Sequence, residues 1–275
     1  MRDIRIAVVQ LQSRVGATAA NIASIDRFAT EAARRSIDIV CFPELCVCGY
    51  NAGNQHTPVP EPLDGDAVRA LEKVGKRHGV TFLAGLLERA ASGIVYNTQV
   101  VIGPKGLVGS YRKAHVPTSE NGTWSQGGEL PLFVHPKARY GIEICYDSHF
   151  PEVSALLAAK GAEILFLPHA SGGETPEEKK ARWLRYMPAR AYDNTVFAAV
   201  CNLVGDNGAG RVFAGVSFIC DARGQVIAEA QSGTEEEMVV ADLRAADLEE
   251  VRRVPEAFFR HFRRPELYAR WEQES

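Results

Sequence analysis

The segment Tyr140-Gly141-Ile142-Glu143-Ile144-Cys145-Tyr146-Asp147-Ser148-His149-Phe150-Pro151-Glu152 constrains this chain more than any other stretch. A strand-like apolar run stops at a cysteine, and a Pro-Glu pair shortly after opens a helix-like run. The chain must therefore turn from strand to helix through an elbow at Cys145, the step from which layered α/β folds are built. A thiol at such a corner is lifted out of the sheet. The first helical N–H groups beside it can stabilise a thiolate and later an oxyanion. A lone cysteine is more often a buried core residue, and the case against that reading comes from two other strand ends.

In Ile37-Asp38-Ile39-Val40-Cys41-Phe42-Pro43-Glu44, a short apolar strand runs straight into a carboxylate. Desolvation at the end of a buried strand makes a carboxylate a better base, which suits a group that takes a proton from a thiol and returns it to a leaving amine. A solvated strand end or a helix cap is the plainer alternative, and Pro43 weakens the cap. In Val108-Gly109-Ser110-Tyr111-Arg112-Lys113-Ala114-His115, a strand again meets a loop at a charged residue. Lys113 there is either an ordinary surface lysine or a fixed ammonium for an oxyanion. Acid, cation and thiol thus stand at three strand ends.

The rest of the chain alternates strand and helix. Strands are predicted at 4–11, 37–42 and 81–88, with helices at 19–35 and 66–78 and a hairpin of 94–102 with 107–112. The second half reads as strand 140–144, helix 151–160, strand 164–168, a helix from Pro176 kinked near Pro188, strand 195–203, and strands near 215–220, 225–230 and 236–242. That is more strand than one flat parallel sheet holds comfortably. The pattern predicts an α/β fold with two mixed β-sheets face to face and helices outside. The 275 residues show no linker, composition shift or boundary-marking repeat, so residues 1–275 read as a single domain.

Charge and composition exclude several classes. Net charge is −3, and no Lys/Arg block is long enough for a nucleic-acid surface. No 18-residue apolar run is present and the N-terminus enters a charged strand, so no membrane span or signal sequence is expected and the predicted location is cytoplasmic. Cys41, Cys46, Cys48, Cys145, Cys201 and Cys220 lie mostly in apolar runs and read as reduced thiols. Cys46 and Cys48 lack a second pair at ligand spacing, so no metal is expected, although Cys46 follows Glu44 closely enough to line a pocket. Gly205-Asp206-Asn207-Gly208-Ala209-Gly210 leads toward a strand rather than a helix, which favours a loop near the pocket mouth over a phosphate cradle. His115 reads as structural, while His149 and His169 are equally suited to touching substrate or to satisfying local hydrogen bonds.

The Phe-Pro-Glu, Tyr-Arg-Lys and Cys-Tyr-Asp contexts, in that order, resemble the nitrilase superfamily of carbon-nitrogen hydrolases. The resemblance runs from Ile4-Arg5-Ile6-Ala7-Val8-Val9-Gln10-Leu11 to Arg263-Arg264-Pro265-Glu266-Leu267-Tyr268. It implies a four-layer α-β-β-α sandwich and a catalytic triad of Glu44, Lys113 and Cys145, with the backbone N–H of Tyr146 helping to hold the oxyanion. A fourth catalytic glutamate is implied after the lysine; Glu120 fits, with Trp124 and Gly127-Gly128 following, and Glu129 competes. Tyr50, Trp124, His149, His169 and Ala170 are candidates for the substrate pocket. The implied activity is hydrolysis of a small linear amide to an acid and ammonia through a cysteine thioester, without a cofactor. The elbow has Asp147-Ser148-His149 where relatives acting on N-carbamoyl amino acids often carry arginine, and Cys-Tyr-Asp where nitrilases commonly have Cys-Trp-Glu. These differences favour a neutral or cationic amide, with N-carbamoyl amine hydrolysis next, nitrile hydrolysis behind it, and a non-catalytic binding module as the reading from another class. The tail at about 257–275 carries Phe258, Phe259, Phe262, Tyr268 and Trp271 among arginines, residue types enriched at interfaces. Relatives exchange such segments, which implies a homodimer or a higher even-numbered oligomer.

Overall fold

The computed structural model describes residues 1–52, 58–120 and 122–274, and gives only the backbone of Trp271 and Glu274. Strand β1 (Ile4–Gln10) leads through helix α1 (Thr18–Arg34) to β2 (Ile39–Cys41), and α2 (Asp66–His78) leads to a meander of β3 (Thr81–Arg89), β4 (Val95–Gly103) and β5 (Gly106–Arg112). The hairpin of β6 (Phe133–His135) and β7 (Ala138–Ile142) is followed by a 3-10 turn at Cys145–His149, helix α3 (Pro151–Ala159) and β8 (Ile164–Pro168). Helices α4 (Pro176–Trp183) and α5 (Met187–Asn194) then connect to β9 (Phe197–Cys201). A short pair, β10 (Gly205–Asp206) and β11 (Val212–Phe213), precedes β12 (Phe218–Cys220), β13 (Val226–Glu229) and β14 (Glu237–Leu243). Helices α6 (Ala245–Arg253) and α7 (Pro265–Glu274) close the chain.

The strands form two six-stranded sheets, ordered β14-β1-β2-β3-β4-β5 and β13-β12-β9-β8-β7-β6. Each has three parallel strands at its centre, β1, β2 and β3 in one and β7, β8 and β9 in the other, flanked by antiparallel strands. Side-chain alternation divides the core into three layers. In β8, Ile164 and Phe166 face the opposite sheet, whose Ile6 and Ile39 share their core layer, whereas Leu165 and Leu167 face α3 and α5. Ile25, Phe28 and Ala32 of α1 and Leu71 and Val74 of α2 cover the far side of the first sheet. The predicted α-β-β-α sandwich is therefore the fold. Phe166 is fully buried between the sheets, and shortening it to alanine would cost about 3–5 kcal/mol.

Helix boundaries follow local chemistry. Gly79 ends α2 in the left-handed region at φ 66° after Lys76, Arg77 and His78 in the last turn. Thr175 caps α4, its hydroxyl accepting from Glu178 N and its own N–H meeting the Glu178 carboxylate. The expected single helix kinked near Pro188 is instead two helices, α4 and α5. Pro188 lies in the first turn of α5, where a missing N–H leaves no helical bond unmade, so it starts a helix rather than bending one. The glycine-rich stretch after β9 turns between β10 and β11, and no helix follows it. No helix among the described residues is long and apolar enough to cross a membrane. The C-terminal tail leans on its own subunit, where Phe259 meets Tyr192 of α5 at 5.3 Å and Arg252 and Arg260 cover Phe258.

Candidate active site

The parallel strands end at one edge, and two loops from the first sheet, after β2 and β5, meet two from the second there, after β7 and β8. After β2 the chain turns sharply at Leu45, whose φ is 50°. β3 passes so close that a Cβ on Gly85 would lie 2.2 Å from Leu45 N, which only glycine permits. This turn drives Glu44 into the interior, where it is fully buried. Its Oε1 accepts from Lys113 Nζ at 2.8 Å and from Asn97 Nδ2 at 2.7 Å, and its Oε2 accepts from the backbone N–H of Ala170 at 2.8 Å. The carboxylate thus joins β4 and β5 of its own sheet to the loop after β8 in the other.

Lys113 leaves β5 with its ammonium fully buried and its second bond, 2.7 Å, to Glu120 Oε2. Burial alone would disfavour the ammonium, but the carboxylates of Glu44 and Glu120 counter it, and the lysine pKa stays above its ordinary value. Burial, with the nearby charge of Glu44, raises the Glu120 carboxyl, against which Lys113 pulls down. Tyr50 donates to Glu120 Oε1 at 2.7 Å and Trp124 Nε1 to Oε2 at 3.2 Å. The loop carrying Glu120 and Trp124 closes over the lysine through a bond from Gly127 N to Lys113 O at 2.8 Å, and a Cβ on Gly127 would strike Arg112 O at 2.3 Å.

Cys145 stands at the elbow expected from the sequence and is half-buried, with a left-handed φ of 48°. For a residue other than glycine this conformation is strained and must be imposed by its surroundings. The imposing bonds are close by: Ile144 N donates to Asp147 Oδ2 at 2.9 Å, and Ser148 Oγ donates to Cys145 O at 2.6 Å. Desolvation and the Glu44 charge push the Cys145 thiol well above its usual range, while Lys113 pulls it down. The free thiol is therefore neutral near pH 7, and its attack on a carbon requires a base.

Glu120, and not the exposed Glu129, is the glutamate that meets Lys113. Tyr50, Trp124 and Ala170 touch the two carboxylates. His169 is buried behind the elbow, its Nδ1 2.8 Å from Leu167 O, its ring against Trp183 and its pKa lowered to about 3 by burial. His149 lies at the rim, stacked on Tyr186 at 4.7 Å, and Tyr146 projects beside it. His115 has the structural contacts anticipated for it, 2.9 Å from Asp147 and stacked on Phe150 at 3.8 Å. Cys46 is buried and accepts from Gly85 N, so it does not line the pocket. Sequence reasoning missed Asn97, which sits in the middle of a strand with no local signal, and the full role of Asp147. It also missed Lys179 and Arg182 of α4, which share Glu174 beside the loop after β8. Among the described residues no cluster of three or more His, Cys, Asp and Glu side chains could hold a metal ion.

Residues 5–253 match the profile of the carbon-nitrogen hydrolase family. The chain belongs to this family. Among carbon-nitrogen hydrolases it is 34% identical to an (R)-stereoselective amidase of a Pseudomonas species, over 91% of this chain and 88% of that protein. It is 31% identical to human omega-amidase NIT2, over 98% of each. The crystal structure of Saccharomyces cerevisiae Nit3, a member of branch 10 of the nitrilase superfamily, superposes with a TM-score of 0.80 at 26% identity, over 92% of this chain and 95% of that one.

Proposed function

We propose that this carbon-nitrogen hydrolase cleaves the C–N bond of a small linear amide, giving a carboxylic acid and ammonia through a thioester on Cys145. The observation that carries the reading is the buried Lys113 ammonium held between Glu44 and Glu120 beside a strained cysteine elbow. Glu44 takes the thiol proton as Cys145 Sγ forms a bond to the amide carbon. The oxyanion that develops is held by Lys113 and the N–H of Tyr146, and Glu44 passes the proton to nitrogen as the C–N bond breaks. Ammonia leaves. Water, deprotonated by Glu44, then displaces the thiolate and releases the acid, and the proton returns to sulfur. Glu120, fixed by Tyr50 and Trp124, keeps the lysine in place.

A neutral acyl chain suits an elbow that presents Ser148 and His149 rather than arginine after the nucleophile. A second reading, an amide whose acyl chain carries a carboxylate, is supported by Lys179 and Arg182. These are two cations sharing one carboxylate, and Lys179 Nζ lies 2.9 Å from Ser171 Oγ, next in sequence to Ala170. The enzyme acts as one domain in the cytoplasm, and the tail from about residue 257 pairs subunits. Ammonia release from matched neutral amides, acid-bearing amides, N-carbamoyl amines and nitriles, run beside Cys145→Ala, tests the reading. Turnover of amides by wild type alone supports it, and release by the variant, or from nitriles alone, refutes it.

A further inference from the structure

Asp147 is a buried carboxylate that the proposed reaction does not use, and all its accepting capacity is spent on the two chain segments that carry Lys113 and Cys145. Its Oδ1 accepts from His115 N at 2.8 Å and lies 2.9 Å from His115 Nδ1; its Oδ2 accepts from Tyr111 OH at 2.7 Å and from Ile144 N at 2.9 Å. Tyr111 and His115 stand two residues on either side of Lys113, and Ile144 immediately precedes Cys145. One side chain therefore bridges the end of β5 in the first sheet and the elbow after β7 in the second. A carboxylate only accepts, so His115 Nδ1 must carry the proton in this pair. The Tyr111 phenol stays a donor, since burial and the Asp147 charge hold its pKa well above the ordinary value. Phe150 N donates to Asp147 O at 3.0 Å while the Phe150 ring stacks on His115, so backbone and ring close the same bridge.

We propose that Asp147 is the positioning residue that fixes Cys145 relative to Lys113. The proposal rests on the thiol mechanism above. Asparagine at this position keeps the volume but turns two acceptor sites into donors, so an N–H or the Tyr111 hydroxyl loses its partner and the bridge opens. A shift of about 1 Å between reacting groups is enough to cost about 100-fold in rate.

The test uses Asp147→Asn, Tyr111→Phe and the double variant in the full chain. Measured are kcat and KM on an amide the wild type turns over, per titratable Cys145, with Tm and the rate of Cys145 alkylation by iodoacetamide followed by mass spectrometry. The expected result is a kcat lower by about 100-fold in Asp147→Asn with KM little changed, and a double variant no worse than Asp147→Asn alone, because both changes open one bridge. Alkylation of Cys145 at neutral pH should slow, since a displaced Lys113 no longer favours the thiolate; loss of the Asp147 charge by itself would act in the opposite direction. Unchanged kcat per folded enzyme with only Tm lowered, multiplying losses in the double variant, or alkylation as fast as wild type overturns the proposal. If Asp147→Asn does not fold, Tyr111→Phe decides: it removes one hydroxyl, and an unaltered kcat refutes the bridge. Should wild type hydrolyse no amide, the proposed function fails, and the alkylation rates still judge Asp147.

Discussion

Replacing Lys113 with methionine removes the only cation bonded to Glu44 and Glu120 among the described residues, and it does so where water does not reach. Methionine matches the length of the lysine stem, so the perturbation is electrostatic. The wild-type trio carries two negative charges and one positive; the variant keeps two negative charges bridged by nothing. Removing one partner of a buried ion pair costs about 3–5 kcal/mol because the remaining charge is left uncompensated. For a chain of this size that lowers Tm by about 6–20 °C. The loss should depend on pH. Glu120, already raised above its ordinary value of 4.5 by burial and by Glu44, is raised further when the ammonium is gone. It then holds a proton in the fold that the unfolded chain gives up, so the penalty is absent below pH 4.5, grows as pH rises toward the folded pKa, and is constant beyond it. The double variant Lys113→Met/Glu120→Gln restores the wild-type net charge and should recover part of the stability while staying catalytically impaired. Urea unfolding at pH 5 and pH 8, with ammonia release on the same samples, gives both readings. A Lys113→Met protein as stable as wild type at pH 8, or one not rescued by Glu120→Gln, would refute the idea that the trio is held by charge.

Three further outcomes follow from the same geometry. Cys145→Ala should abolish turnover with Tm close to wild type, and wild type with a slow substrate should show an acyl adduct on Cys145; an adduct on Cys46 alone would move the nucleophile. Glu44→Gln should slow turnover by about 100-fold or more, yet speed iodoacetamide alkylation of Cys145, because the Glu44 charge is one of the causes that keep the thiol pKa high. Slower alkylation in that variant would contradict the electrostatics. Deleting residues 257–275 should lower both sedimentation coefficient and activity, since Phe259 and Phe262 are exposed on a tail lying along α5; a monomeric full-length protein at micromolar concentration would rule out subunit pairing through the tail.

Elements that carry one period of apolar residues were legible in the sequence, as were residues that end a strand. β8 was placed at its observed limits, and α1 and α2 within a residue, because each has a continuous or 3.6-period apolar face. Glu44, Lys113 and Cys145 announced themselves by interrupting such runs. Asn97 did not, for a physical reason: its partner Glu44 is 53 residues away, so nothing local distinguishes it from an ordinary polar residue; Asp147 was visible only as part of the Cys-Tyr-Asp context, because its bond to Tyr111 spans 36 residues. The separation of α4 from α5 was missed because Pro188 was weighed as a break inside a helix, whereas its cost vanishes in a first turn.

The two sheets share one plan, and this explains why the site lies where it does. β2 and β8 are each the middle of three parallel strands, and an outward-facing apolar residue followed by proline marks the end of each, Phe42-Pro43 just after β2 and Leu167-Pro168 closing β8. The next residues, Glu44 and His169, are therefore structural counterparts, and face-to-face packing brings their two loops together. Their environments then diverge. The Leu45 turn sends Glu44 toward Lys113, whereas His169 is held back by Leu167 O and the Trp183 ring, so its loop contributes only the Ala170 N–H. This backbone donor from the second sheet satisfies Glu44 Oε2 without adding a charge, and leaves Lys113 as the cation bonded to that carboxylate.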